Sequence, residues 1–335
     1  MAGAPDQSRW VRGEPRRTLP EGVLRRMVSR ALPHSRVLEA QALPGGRRNA
    51  NFKLRVDSPE RAVVLRVYEH DASLCQKEMD LLGMVRGAVP VAEAIYAEPQ
   101  GLDGIPPFAL LEYVEGMGLR ELRRSGDAEA MGQAAGSAGE ALAAIGRFGF
   151  PKSGWLGPGP GVTGPLVEGA NAMPRFVDLC LGSERLQGRM PAEVRGRLHE
   201  MVWSGASRLA EVERESRLVH GDFNGGNLVV RRGSGGWRVA AVLDWEFAVS
   251  SSPLADVGNF LRYERAARPL LEPHFSEGYR RAGGKLAGDW RRLARWTDLL
   301  GICESLTHED LPEEASRELV ELARATAEDR EWGGG

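Results

Sequence analysis

The stretch Leu218-Val219-His220-Gly221-Asp222-Phe223-Asn224-Gly225-Gly226-Asn227-Leu228-Val229-Val230 and its sequel Val242-Leu243-Asp244-Trp245-Glu246-Phe247 hold the residues best suited to chemistry. A carboxylate, a carboxamide five positions on, and a second carboxylate closing an apolar run make the polar set that metal-assisted phosphoryl transfer needs. In such a site a base orients the attacking hydroxyl, while oxygen ligands hold Mg2+ against the phosphates without enclosing it. Asp222, in a loop between two β-rich runs, takes the base role. Asn227, at the mouth of the returning strand, offers the metal a neutral amide oxygen. Asp244, at the end of Val239-Ala240-Ala241-Val242-Leu243, offers the charged one. Gly225 and Gly226 let the loop curl so that Asp222 and Asn227 converge, because glycine tolerates positive φ. An Asx-rich turn with Asp244 as a helix cap would use the same residue types. All three side chains at this spacing favour the site.

His220-Gly221-Asp222, four residues and Asn227, followed by Leu243-Asp244-Trp245-Glu246, resembles the signature of the aminoglycoside phosphotransferase and choline kinase-like family, which shares the protein-kinase fold. Pro253-Leu254-Ala255-Asp256-Val257-Gly258-Asn259-Phe260 is similar to that family's next segment. The resemblance implies an α+β fold in two lobes, a small N-terminal antiparallel sheet with a helix and a larger, mainly helical C-terminal lobe. It also implies ATP or GTP with Mg2+ in the cleft, and a His220 that holds the loop through its ring rather than shuttling a proton. Asp256 reads as a hydrogen-bonding brace for the loop rather than a metal ligand.

The rest of the chain bears on this independently. At 335 residues it exceeds one average domain and suits a two-lobed enzyme with one cleft. Lysine plus arginine number 44 against 46 aspartate plus glutamate, so no global field favours nucleic acid and a small-molecule partner is expected. Cys75, Cys180 and Cys303 are odd in number, far apart and in no metal-ligand spacing, which reads as reduced thiols. No apolar run reaches the length of a membrane span and the polar start has no signal-peptide core, so a cytoplasmic protein is expected. Oligomeric state is left open.

Residues 1–20, with Arg9, Arg12, Arg16 and Arg17, read as a flexible tail. Residues 21–113 read as the nucleotide-binding lobe, and residues 114–330 as the catalytic and acceptor-binding lobe. Helical periodicity marks Glu21 to Ala31. Two strands, Val37 to Leu43 and Phe52 to Val56, flank a turn in which Gly45, Gly46 and Asn49 could cover nucleotide phosphates with backbone N–H groups. The third strand, Ala62 to Tyr68, carries Arg66 where a protein kinase has its phosphate-contacting lysine. Between Ser73 and Val85, Glu78 falls on the apolar stripe of a helix and demands a counter-charge, Arg66 first and Lys53 second.

The run Phe108-Ala109-Leu110-Leu111-Glu112-Tyr113-Val114 reads as a hinge between lobes. By resemblance, the Glu112 carbonyl and Val114 N–H would meet the adenine edge. Ala128 to Ile145 is a long alanine-rich helix. The glycine- and proline-punctuated segment from Phe148 to Gly161 reads as irregular and is assigned, with Trp155, to acceptor recognition or to a packed surface loop. Helices are expected at Arg175–Leu181 and Ala192–Glu215, then near Asp256–Ala267, Leu270–Ala282, Trp290–Leu306 and Glu313–Ala327.

These later helices offer Glu246, Glu264, Asp298 and Glu304 to the acceptor side, which would suit a cationic acceptor such as an aminoglycoside or amino alcohol. Charged residues on helices also form ordinary solvated faces. Two functional classes follow, a kinase for a hydroxyl of a small, cationic molecule and a catalytically inactive nucleotide-binding regulator of the same fold. Intact Asp222, Asn227 and Asp244 favour the kinase.

Overall fold

The structure, a computed structural model, describes residues 19–43, 49–264 and 268–328. Gly45 and Gly46 of the expected phosphate-covering turn lie outside the described residues, as do most of the expected tail and the glycine-rich end.

The chain opens with α1 (Glu21–Ala31), β1 (Val37–Ala42), β2 (Asn49–Asp57), β3 (Glu60–Tyr68), α2 (Ser73–Val85), β4 (Ala94–Glu98) and β5 (Phe108–Glu112). Its five strands form one antiparallel sheet in the order β1-β2-β3-β5-β4. In β2, Phe52, Leu54 and Val56 alternate inward, and in β3, Val63, Leu65 and Val67 do the same, so the two register as a hairpin from Asn49–Tyr68 to Asp57–Glu60. The buried stripe of α1, Leu24, Met27 and Val28, covers this sheet's core. Apolar positions spaced at helical period, Cys75, Leu81, Leu82 and Val85, turn α2 inward.

The second lobe begins with β6 (Met117–Gly118), α3 (Leu119–Arg124), α4 (Ala128–Ile145), β7 (Gly154–Leu156), β8 (Val162–Gly164), α5 (Ala172–Leu181) and α6 (Glu184–Arg189). It continues through α7 (Ala192–Ser204), α8 (Ala206–Glu213), β9 (Arg217–Val219), β10 (Leu228–Gly233), β11 (Gly236–Val242) and β12 (Val249–Ser251). It ends with α9 (Leu254–Leu261), α10 (Glu272–Arg281), α11 (Trp290–Thr307) and α12 (Glu313–Ala327). Asp127 caps α4 by accepting the Ala130 N–H at 2.9 Å. The alanine and glycine content of α4 lets α10 approach to backbone contact, since a Cβ at Gly139 would stand 2.1 Å from the Phe275 carbonyl oxygen.

Two small sheets hold the residues of interest. Strands β11, β10 and β6 form one, and β8, β7, β12 and β9 the other. The segment expected to be irregular therefore contains β7, where Trp155 pairs with Val249 of β12 and Gly164 of β8. The single helix expected over Ala192–Glu215 is two, broken at Gly205. A Cβ there would stand 2.2 Å from the ring of Trp296, so the indole of α11 packs directly on that backbone. Among the described residues no helix is long and apolar enough to cross a membrane.

Candidate active site

The strand β9 ends at Val219 and delivers a fully buried His220. Asp256, at the start of α9, accepts the His220 N–H at 2.6 Å and the Gly221 N–H at 2.9 Å, and so braces the loop from beneath. Gly221 adopts φ 81°, and a Cβ there would stand 2.3 Å from the Phe247 carbonyl oxygen, so both conformation and space require glycine.

The His220 ring joins the two halves of the site. Its Nδ1 accepts the Asp222 N–H at 3.2 Å, and its Nε2 lies 2.9 Å from the Leu243 carbonyl, to which it donates. That arrangement needs the neutral ring. Burial lowers its pKa to about 4, against the opposing pull of Asp244.

A pH prediction follows. The folded pKa lies below the unfolded value near 6.5, so the unfolded chain takes up a proton that the native ring refuses. His220 thus contributes stability that is complete above about pH 6.5 and lost as pH falls through about 4, amounting to roughly 3 kcal/mol. Asp256 acts in the opposite sense, because burial pushes its carboxyl up to about 7 and its stabilising proton is lost as pH rises through that value. The His220 contribution is read as the difference in urea midpoint against pH between the wild type and His220→Gln. A difference that stays flat from pH 7 to 4 would remove the neutral buried ring from the account.

Asp222 is held at both oxygens. Asn224 Nδ2 donates to Oδ1 at 2.6 Å, and Asn227 Nδ2 donates to Oδ2 at 2.8 Å. Burial raises its pKa, with Asp244 adding to the rise, while Arg262 and the Asn227 hydrogen bond oppose it. With its NH2 turned to Asp222, the Asn227 side chain leaves Oδ1 without a hydrogen bond among the described residues. The Asn227 carbonyl accepts the Leu243 N–H at 2.8 Å, which fixes Asp244 beside it. Asp244 itself sits at φ 65°, a conformation that few residues other than glycine adopt.

From the small lobe, Arg66 meets three carboxylates. Its Nη2 lies 2.6 Å from Asp244 Oδ1 and 3.3 Å from Glu246 Oε2. Its Nε lies 2.9 Å from Glu78 Oε2, at ion-pair distance but without hydrogen-bond alignment. The Tyr68 hydroxyl donates to that same Glu78 oxygen at 2.5 Å, and the Trp245 N–H to Glu78 Oε1 at 3.2 Å. Lys77 Nζ donates to the Glu246 carbonyl at 2.8 Å, and Asn49 Nδ2 to Glu246 Oε2 at 2.5 Å. Arg66 is thus the partner of Glu78, while Lys53 lies over the Tyr113 ring.

A single carboxylate and a single carboxamide fit Mg2+, which keeps most of its coordination for water and phosphate oxygens. Asp244 Oδ2, like Asn227 Oδ1, accepts nothing among the described residues. The donor set therefore matches the ion.

Residues 39–296 match the model of the APH phosphotransferase enzyme family, most of the chain's length. The chain belongs to this phosphotransferase family. No curated protein matches it in sequence. Among solved structures it is similar to aminoglycoside phosphotransferase APH(4)-Ia, at 18% identity and a TM-score of 0.66 over 94% of this chain and 100% of that one. A thermostable mutant of that protein, in a ternary complex with AMP-PNP and hygromycin B, matches at 18% identity and a TM-score of 0.65, over 91% and 97%. The GDP complex of aminoglycoside 2'-phosphotransferase-IIIa matches at 16% identity and a TM-score of 0.65, over 93% and 98%. These likenesses show the two-lobed fold.

The phosphotransferase brings Asp222, Asn227, Asp244, Arg66, Glu78 and Asn49 together, and the expected acceptor-side carboxylates separate from one another. Glu246 is buried in the Arg66 cluster, so its side chain belongs with the small lobe rather than with an acceptor. Asp298 makes a two-point pair with Arg262, at 2.8 and 2.6 Å, with both side chains buried. Glu264 is buried and accepts the Glu272 N–H at 2.9 Å. Glu304 is exposed on α11, and Trp155 is half-exposed on β7. Glu112 closes β5, with Val114 just beyond it packed against the central core. Sequence reasoning missed Lys77, Asn224 and Arg262. Only Asn224 carried a signal, its place two residues beyond the base.

Proposed function

We propose that this phosphotransferase moves the γ-phosphoryl group of ATP or GTP to a hydroxyl of a small molecule, with Asp222 as base. The observation that carries the reading is the coupling of Asp222, Asn227 and Asp244 through the His220 ring and the Leu243 backbone. One residue orients the hydroxyl and two present open oxygens. The AMP-PNP and GDP bound in the similar structures agree with it.

In this scheme the acceptor hydroxyl approaches Asp222, whose two oxygens Asn224 and Asn227 keep in place. The acceptor oxygen forms a bond to the γ-phosphorus as the bond to the β,γ-bridging oxygen breaks, and the hydroxyl proton passes to Asp222. A nucleoside diphosphate leaves. Arg66 has its Nη1 available for phosphate, since Glu78, Asp244 and Glu246 meet the other two nitrogens. Mg2+ held by Asn227 and Asp244 would neutralise phosphate charge. The Glu112 carbonyl and Val114 N–H are proposed for the nucleotide base. The carboxylates that suggested a cationic acceptor are engaged elsewhere or exposed, so they assign the acceptor no charge. The three cysteines are free and buried, in keeping with a reducing cytoplasm.

The test is nucleotide consumption across a panel of hydroxylated compounds with Mg2+ titrated. Asp244→Asn is expected to lower turnover by about 10²–10³-fold, the scale of losing one preorganised electrostatic group. Full activity in that variant would remove Asp244 from the metal-binding role.

A further inference from the structure

Alternation divides the five-stranded sheet. Phe52, Leu54, Val63 and Leu65 pack with α1, so Asn51, Lys53, Val64 and Arg66 turn to the opposite face, where Val64 meets the core that both lobes share. Lys53 stands opposite Val64, and Val64 opposite Leu111, two residues before Tyr113 at the hinge. Arg66 stands opposite Asn51, so Lys53 lies two positions, about 7 Å, from that register on the hinge side.

The half-buried Lys53 places its Nζ 3.7 Å from the centre of the Tyr113 ring. Among the described residues that ring is the partner of the ammonium, which has neither an ion pair nor a hydrogen bond there. The carboxylates of the adjoining strands are engaged, Glu39 and Glu60 with Arg55, and Glu112 with the Glu93 N–H at 3.4 Å. The π face attracts the charge but gives its N–H groups no oxygen. A nucleotide whose phosphates lie at Arg66 and Asp244 extends its nucleoside along this face toward Lys53.

We propose that Lys53 recognises the nucleotide, its ammonium donating to an acceptor oxygen of the nucleoside, either the 6-carbonyl of guanine or a ribose hydroxyl. The proposal rests on the phosphotransferase reading above and specifies how its nucleotide is chosen. Tyr113 holds the ammonium at the hinge, so the donor is in place before the nucleotide arrives. An ammonium only donates, so the 6-amino group of adenine cannot meet it.

The experiment measures Kd by calorimetry, with Mg2+ present, for ADP, GDP, inosine diphosphate, and the 2′-deoxy and 3′-deoxy forms of ADP. The wild type is expected to favour the oxygen-bearing member of one matched pair about 10- to 100-fold, the scale of a hydrogen bond to a charged group. Preference for the inosine and guanosine diphosphates over ADP assigns the base carbonyl, and preference for ADP over a deoxy form assigns the sugar. In Lys53→Met that ratio falls toward one, and Lys53→Arg keeps part of it. The ratio cancels any general effect of the substitution on the sheet or on phosphate binding. A ratio unchanged in Lys53→Met overturns the proposal and leaves the phosphotransferase reading intact, as does a loss shared equally by all five nucleotides. A wild type that binds none of them counts against both.

Discussion

Asp222→Asn is expected to lower acceptor-dependent turnover by about 10²–10⁴-fold, the usual scale of general-base loss, while nucleotide binding persists. The reason is local. The amide replaces the only group positioned between Asn224 and Asn227 that can take a proton, and it leaves the Arg66 cluster untouched. Single-turnover measurements at saturating nucleotide separate the two quantities. A variant that keeps its turnover would move the base elsewhere and end the assigned role of Asp222.

The second large effect is on stability. Arg66→Met should destabilise the protein by about 3–5 kcal/mol, because it leaves Glu78 and Glu246 buried, with Asp244 beside them, without the cation they share. Arg66→Lys should recover part of this, since a point charge cannot meet three carboxylates as a planar fork does. Adding Glu78→Gln to Arg66→Met should also recover part, because the two positions are in contact and their effects do not add. Urea denaturation of the wild type, Arg66→Met, Glu78→Gln and the double variant measures the coupling. An Arg66→Met protein as stable as the wild type would show that the cluster contributes nothing to holding the lobes together.

Much of the fold is legible in the sequence where the pattern is long. The helices Glu21–Ala31, Ser73–Val85, Ala128–Ile145 and Glu313–Ala327 follow their apolar stripes to the residue. Strands of three residues, such as β7 and β12, are too short to carry a period, so Trp155 sits in a sheet where the sequence suggests irregular chain. The break at Gly205 depends on Trp296, a residue far along the chain that no local pattern names.

The site divides in the same way. Asp222, Asn227 and Asp244 are fixed by a short loop and one hairpin, so spacing alone relates them. Glu78 is legible because burying a carboxylate on an apolar stripe demands a partner, and Arg66 lies on an adjacent element. Glu246 and Asp298 are not legible, because which way a carboxylate faces depends on arginines brought near it only by the tertiary fold. Lys77 escapes for a related reason, its partner being a backbone carbonyl.

The central hydrophobic cluster takes Cys75, Leu81, Leu82 and Val85 from α2 together with Ala134, Leu142, Phe223 and Val242 from the other lobe. The same cluster takes Tyr68 from β3 and Ala109 and Leu111 from β5, so α2 sits where the sheet and the larger lobe share one apolar interior. Parting the two lobes would therefore expose buried side chains of all three as well as break the Arg66–Glu78 pair, which ties the rigidity of the cleft to the packing around α2.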